Sequence, residues 1–152
     1  MPKNWTICKL KDIAKVSNGK NQSKVINVNG KYPIYGSGGI IGYADDFLCE
    51  ENSTIIGRKG TINNPILVKT KFWNVDTAFG MTPKDGIDFK YFFYFCKSFD
   101  FSKLDKSTTL PSLTKSSIES IEISLPPEKE QRRIVGMIDK VFTYIDGITA
   151  EL

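Results

Sequence analysis

The chain has no histidine. That single absence removes Ser-His-Asp and Cys-His nucleophiles, imidazole acid–base chemistry and the commonest metal ligand. Cysteine is scarce: Cys8, Cys49 and Cys96 are widely spaced and none sits in a CxxC pair. They read as reduced, partly buried thiols, forming neither a disulfide framework nor a zinc site. No window approaches the roughly 18 uncharged apolar residues of a membrane span. The opening MPKNWTICKL has no apolar signal core, which makes the cytoplasm the default location. Paired carboxylates at a recognisable spacing, an Asp…Glu-x-Lys nuclease pattern, a Gly-rich S-adenosylmethionine loop and an Asn-Pro-Pro-aromatic tetrapeptide are missing too. Together these absences point away from an enzyme and towards a binding module.

What is present suits one domain with an appendage. The 152 residues are 40% hydrophobic and 12% aromatic, enough for a real core. Charge divides unevenly. Residues 1–125 hold 17 Lys and Arg against 12 Asp and Glu, whereas residues 126–152 hold 4 against 5. A modestly basic body on a near-neutral tail is compatible with nucleic-acid binding.

Along the chain, Trp5, Ile7 and Leu10 open a short strand or a helical turn leading into a strand that includes Val16. Ser17–Asn21 and Asn29-Gly30 are turns by composition, and Val25, Ile26 and Val28 are possible strand residues between them. From Gly36 to Gly42, four glycines fall in seven residues. Such a stretch either cradles an anion with backbone N–H groups or makes tight turns between strands; it is neither GxGxxG before a helix nor a Walker loop. Ser53–Ile56 is a β-branched run ending in Gly57-Arg58-Lys59-Gly60. The bracketing glycines put Arg58 and Lys59 at the tip or shoulder of a turn. There Arg58 could fork onto a phosphate or guanine edge and Lys59 could meet the backbone as a point charge, or both could simply be solvated.

Ile66–Val68 and Phe72–Phe79 read as two strands joined at Lys69–Lys71, with Phe72, Trp73, Val75, Ala78 and Phe79 in the core. Asp76, among them, reads as a hydrogen-bonded structural carboxylate rather than part of a site. Asp88 N-caps an aromatic helix to Lys97. Its apolar surface is nearly circumferential, which predicts a buried helix; a stacking platform for single-stranded bases is the other possibility. Lys103–Ser117 is rich in hydroxyls and lysines, groups that commonly contact phosphate. Thr114 is placed to N-cap a short helix ending near Glu119, and Ile121–Leu125 alternates as a strand.

The last stretch begins at Pro126-Pro127, which suits the first turn of a helix, with Glu128 and Glu130 at its positive end. Ile134, Ile138, Val141, Ile145 and Ile148 then recur at heptad spacing. A second apolar row, Val135 and Phe142, runs on one flank, with Met137 and Tyr144 on the other. Either the helix closes its own domain, or the seam packs on a partner helix while a flank packs on the body.

The ordered set Tyr32–Gly38, Thr54–Thr61, Phe72-Trp73…Asp76–Phe79, Leu110–Thr114 and Leu125-Pro126-Pro127…Glu130-Gln131…Ile134-Val135 resembles one target recognition domain of a type I restriction-modification specificity subunit. The resemblance covers essentially the whole chain. It implies an α+β fold: a mixed, curved β-sheet recognition domain with short helices over residues 1–125, then a long coiled-coil-type spacer and dimerisation helix over 126–152. It implies sequence-specific binding of double-stranded DNA, with no catalysis by this chain. Methylase and restriction subunits are the implied partners; S-adenosylmethionine, ATP and Mg are expected on those partners and not here. Implied DNA contacts are Tyr35, Ser37, Gly38, Arg58, Lys59, Gly60, Thr61, Lys106, Ser107, Thr108, Thr109 and Lys115. The family pattern has two recognition domains and two helices, and this sequence holds one of each, as a half-subunit or a fragment. The helix, about 22 residues and roughly 33 Å long, would then seek a second copy, antiparallel, making a homodimer whose target is an interrupted palindrome. The other class of reading is a protein-interaction module that binds no DNA, with a β-rich body and a partner-binding helix.

Overall fold

The structure, a computed structural model, describes residues 4–104 and 112–151. It opens with β1 (Thr6–Lys9), a single helical turn α1 (Leu10–Ile13) and β2 (Ala14–Ser17). Asp12 accepts the Lys9 N–H at 2.9 Å, closing that turn over the buried Leu10 and Ile13. The opening segment is therefore both expected things, a strand and a helical turn. β3 (Tyr32–Gly36), β4 (Gly39–Ala44), β5 (Ser53–Gly57), β6 (Ile66–Val68), β7 (Trp73–Asn74) and β8 (Ala78–Pro83) follow. Then come α2 (Phe89–Ser98), a 3-10 turn at Phe101–Leu104, α3 (Lys115–Glu119), β9 (Glu122–Leu125) and α4 (Glu128–Glu151).

The fold is α+β, with strands in three small sheets. An antiparallel sheet runs β2-β8-β5-β6; a second runs β4-β3-β7, with β3 and β7 parallel; β1 pairs antiparallel with β9. β5 lies between β8 and β6 and all its residues are buried, which is why it reads as an unbroken β-branched run instead of alternating. The main core gathers Leu10, Val16, Ile56, Phe79, Met81, Phe92, Phe101, Leu113, Ile118 and Ile123 from both ends of the chain. Each such side chain contributes roughly 1.5–3 kcal/mol by leaving water.

Three local expectations need correction. Phe72–Phe79 is not one strand, and β6 and β7 do not form a hairpin, because they belong to different sheets. The cause is Asn74. Its buried amide donates to the Ala78 carbonyl at 2.8 Å, and the Ala78 N–H returns to Val75 at 3.0 Å. The chain thus turns between β7 and β8 and crosses from one sheet to the next. Asp76 lies exposed at this turn, and among the described residues its carboxylate has no hydrogen-bond partner, so it is not the hydrogen-bonded structural carboxylate expected. Val25, Ile26 and Val28 form no strand: the N–H groups of Val25 and Ile26 both go to the Gln22 carbonyl, and Ile26 makes only an isolated bridge to Ala44.

Asp88 caps α2 as expected, accepting from the Lys90 and Tyr91 N–H groups at 2.9 and 3.0 Å. α2 itself is half-buried; only Phe92 and Cys96 are fully inside. Its remaining aromatic flank meets α4. The Pro127 carbonyl accepts the Gln131 N–H at 3.0 Å, so the two prolines lead into α4 and helical residues begin at Glu128. Gln131 and Val135 are buried against the body, Ile134, Ile138 and Asp139 are half-buried, and every residue from Lys140 to Thr149 is exposed. Among the described residues no helix is long and apolar enough to cross a membrane.

Candidate nucleic-acid interface

Three loops meet at one end of the body. The first is the tip of the β3–β4 hairpin, where Ser37 and Gly38 lie between Gly36 and Gly39. The hairpin explains the glycine-rich stretch as a tight turn; the strands beside it carry Tyr35 on β3 and Ile40 on β4. The second is the loop leaving β5, with Arg58, Lys59, Gly60 and Thr61 all exposed. It folds back on its own strand so closely that a Cβ at Gly57 would lie 2.0 Å from the Thr61 carbonyl oxygen and 3.0 Å from the Ser37 Cβ. Gly60, at φ +76°, supplies the left-handed residue that reverses the loop. Gly57 therefore permits two close approaches at once: loop onto strand, and hairpin tip onto loop.

The third piece is the approach to α3. The Leu113 N–H donates to the Arg58 carbonyl at 2.8 Å, and Lys59 bridges to Ser112. Thr114 then caps α3, its hydroxyl accepting from the Ser117 N–H at 3.1 Å, while the Ser117 hydroxyl returns to the Thr114 carbonyl at 2.8 Å. Lys115 begins the helix, exposed. Arg58, Lys59, Thr61, Ser37, Gly38 and Lys115 thus come from three distant parts of the sequence to one edge. Lys106, Ser107, Thr108 and Thr109 lie outside the described residues.

The Arg58 guanidinium lies 5.8 Å from the centre of the Phe79 ring. Its backbone N–H is held by the Thr77 carbonyl at 2.7 Å. The base of the side chain is thereby fixed while its donors stay exposed. A planar cation, two lysines and several hydroxyls on a pinned backbone can donate to anionic or carbonyl oxygens in a fixed geometry. Tyr35 differs from the other candidates. Its ring meets Phe72 edge-on, with centres 5.6 Å apart, and burial, with Tyr43 nearby, raises its phenol pKa. Tyr35 forms part of the wall behind the tip.

One surface had no sequence signal. Tyr32, Tyr35, Tyr43, Lys31, Lys69 and Lys71 line an open cleft of 630 Å³ on one face of the hairpin. Its charge is mixed: Glu51 shares the lining, and Lys71 pairs with Glu50 at 3.8 Å. The lining comes from β3 and the residue before it, from β4, and from the loops that hold Glu51 and Lys71, and no local pattern links them. Among the described residues no group of three or more His, Cys, Asp or Glu is placed to hold a metal.

On α4, the heptad residues divide. Ile134 and Ile138 are half-buried, and Ile138 borders a crevice with Tyr91, Tyr94 and Phe95 of α2. Val141, Ile145 and Ile148 are 56%, 49% and 43% exposed, beside Phe142 and Tyr144.

A small α+β body with three loops gathered on one edge, and a long helix whose outer half stands clear of it, defines a recognition module carrying a projecting arm. The family model described as the type I restriction modification DNA specificity domain matches residues 2–152, and the chain belongs to that family. It is 28% identical to the type I restriction enzyme MjaIX specificity subunit of Methanocaldococcus jannaschii, over 97% of this chain and 39% of that protein. The solved HsdS subunit from Thermoanaerobacter tengcongensis shares its fold at a TM-score of 0.81, with 16% identity over 99% of this chain and 40% of that one. The S subunit from M. genitalium matches at 0.71, with 20% identity over 97% and 41%. The chain therefore spans about two fifths of the length of these relatives.

Proposed function

We propose that this chain reads one half of a split site in double-stranded DNA and directs the methylase and restriction subunits of a type I restriction-modification system to it. Residues 1–125 form the recognition domain and 126–152 the spacing helix. The chain performs no catalysis; S-adenosylmethionine, ATP and Mg act on the partner subunits. Two copies join through antiparallel α4 helices, so that the preferred target is an interrupted palindrome.

The observation that carries this reading is the match of the DNA specificity family along residues 2–152. The gathering of Arg58, Lys59, Thr61, Ser37, Gly38 and Lys115 on one edge supports where the DNA lies. Arg58 is the side chain suited to a bidentate base or phosphate contact, and the lysines and hydroxyls to backbone oxygens. The exposed row Val141, Ile145 and Ile148 supports the paired helices.

Selection of duplexes from a randomised pool, by the chain alone and with a methylase subunit, tests the reading. A short motif mirrored across a fixed spacer is the expected result; a single unpaired half-site would remove the homodimer and keep recognition. No motif in either case would leave a protein-interaction module. Replacing Arg58 and Lys59 together by Ala should lower the slope of log affinity against log salt by about 1.8, since each neutralised phosphate contributes about 0.9. An unchanged slope would take DNA away from that loop.

A further inference from the structure

α4 is held to the body by two polar anchors, one at the cap of α2 and one on its exposed flank, with Val135 buried between them. Near its start, Gln131 is 1% exposed. Its side-chain oxygen accepts the Asp88 N–H at 2.8 Å, and its amide donates to the Pro126 carbonyl at 3.0 Å. Asp88 is itself the cap of α2, so Gln131 locks the start of one helix to the start of the other. Eight residues later Asp139 makes the last polar contact of α4 with the body among the described residues. Lys90 donates to one of its oxygens at 2.6 Å and the Tyr94 hydroxyl donates to the other. The Phe142 ring lies beyond, with its centre 5.9 Å from that of Tyr94.

One anchor would let a helix swing; two fix a direction. The anchors are about 12 Å apart along α4, and beyond Asp139 the helix runs about 18 Å further, at 1.5 Å per residue. All the described side chains of that outer part are exposed. A swing of about 15° around Asp139 would carry the far end about 5 Å, more than the 3.4 Å rise of one base pair. An arm that sets the separation of two DNA half-sites to within one base pair must therefore be held in direction at its base.

We propose that Lys90, Tyr94 and Asp139, with Gln131 as the second anchor, are positioning residues that fix the direction in which α4 leaves the body and so enforce a single half-site spacing. The link to spacing rests on the DNA-recognition reading above; the fixed direction does not, and the two are tested separately.

Spin labels at Val28→Cys on the body and Tyr144→Cys on the arm, in a Cys8→Ser background diluted with unlabelled chain, report the direction as a distance distribution. The starting protein should give one narrow peak, and Asp139→Ala should at least double its width. Lys90→Met and Tyr94→Phe, gentler changes, should each broaden it less, and they carry the comparison if Asp139→Ala does not fold. Unchanged widths in these variants would overturn the proposal. In duplex selection, Asp139→Ala or Lys90→Met should spread the enriched spacers over two or more lengths while the half-site bases stay the same. Loss of the bases together with the spacing, or an unbroadened spacer, would also overturn it. If the unmodified chain enriches no motif, the DNA reading fails, and the label distances still decide whether the anchors fix the helix.

Discussion

β5 and the outer half of α4 are both rich in branched apolar residues, yet every residue from Ser53 to Gly57 is buried and every side chain from Lys140 to Thr149 is exposed. β5 is flanked by β8 and β6 in its own sheet. The outer half of α4 meets α2 at its inner edge, through Phe142 and Tyr94 with ring centres 5.9 Å apart, and its described side chains are all exposed. The difference shows that one apolar row has two fates: Ile134 and Ile138 pack half-buried on the body beside Gln131 and Val135, whereas Val141, Ile145 and Ile148 of the same row run past it. Position along the axis, not a change of face, decides burial: Gln131, Ile138 and Ile145 share one heptad position and are buried, half-buried and exposed in turn.

The largest effect that sharpens this contrast comes from matched truncations. Phe79→Ala, in the main core beneath Arg58, should cost about 3–5 kcal/mol through lost burial and a residual cavity. Ile145→Ala should change the stability of dilute, monomeric protein by less than about 0.5 kcal/mol. Urea unfolding at low concentration compares them directly. An Ile145→Ala loss near that of Phe79→Ala would mean the outer helix packs on its own body after all. Repeating the Ile145→Ala measurement at high protein concentration should enlarge its effect if the row pairs with a second copy.

An intermediate effect separates neighbours on one turn of α4. Gln131→Ala would leave the Asp88 N–H and the Pro126 carbonyl buried without partners, at a cost of about 2–4 kcal/mol. Arg133→Ala, two residues on, removes an exposed pair with Glu130 and should leave stability nearly unchanged. Similar losses for both would show that the first anchor is open to water.

Much of this was legible in advance, and the reasons differ by element. The caps at Asp88 and Thr114 and the start of α4 follow from local chemistry, and the structure has them. The buried run of β5 follows from its β-branched residues. Asn74 hid the break between β7 and β8, because one amide inside an aromatic run gives no periodic signal, and its partners Ser17 and Ala78 lie on different strands. The three gathered loops were recognisable individually, from glycines and basic pairs. Their meeting depends on Gly57 having no side chain and on the Arg58 carbonyl holding Leu113, a contact across 55 positions of sequence. The second anchor carries no sequence signal for the same kind of reason: Lys90, Tyr94 and Asp139 are ordinary helix-surface residues until α2 and α4 are side by side.

The smallest effect is a pH dependence at that anchor, small because Lys90 and Asp139 side chains remain 34% and 37% exposed. The Lys90 hydrogen bond, then that of Tyr94, hold the Asp139 carboxyl below the ordinary aspartate range, against a smaller opposing effect of burial. A carboxylate depressed in the folded state stabilises above its unfolded pKa, about 3.9, and the contribution disappears as pH falls through the folded value. Tyr94 acts at the other end. Burial, then the hydrogen bond to Asp139 and its charge, raise the phenol from 10.0 to about 12. Its protonated form is the favoured one, so its contribution is complete below about pH 10 and is lost as pH rises to about 12. The stability difference between the unmodified chain and Asp139→Asn should thus be level from about pH 5 to 9 and shrink on the acid side. Tyr94→Phe should remove the alkaline loss that belongs to the phenol. A difference that stayed constant down to pH 3 would mean that Asp139 does not hold Lys90 and Tyr94 in solution, and the direction of α4 would then rest on Gln131 and the packing of Val135 and Ile138.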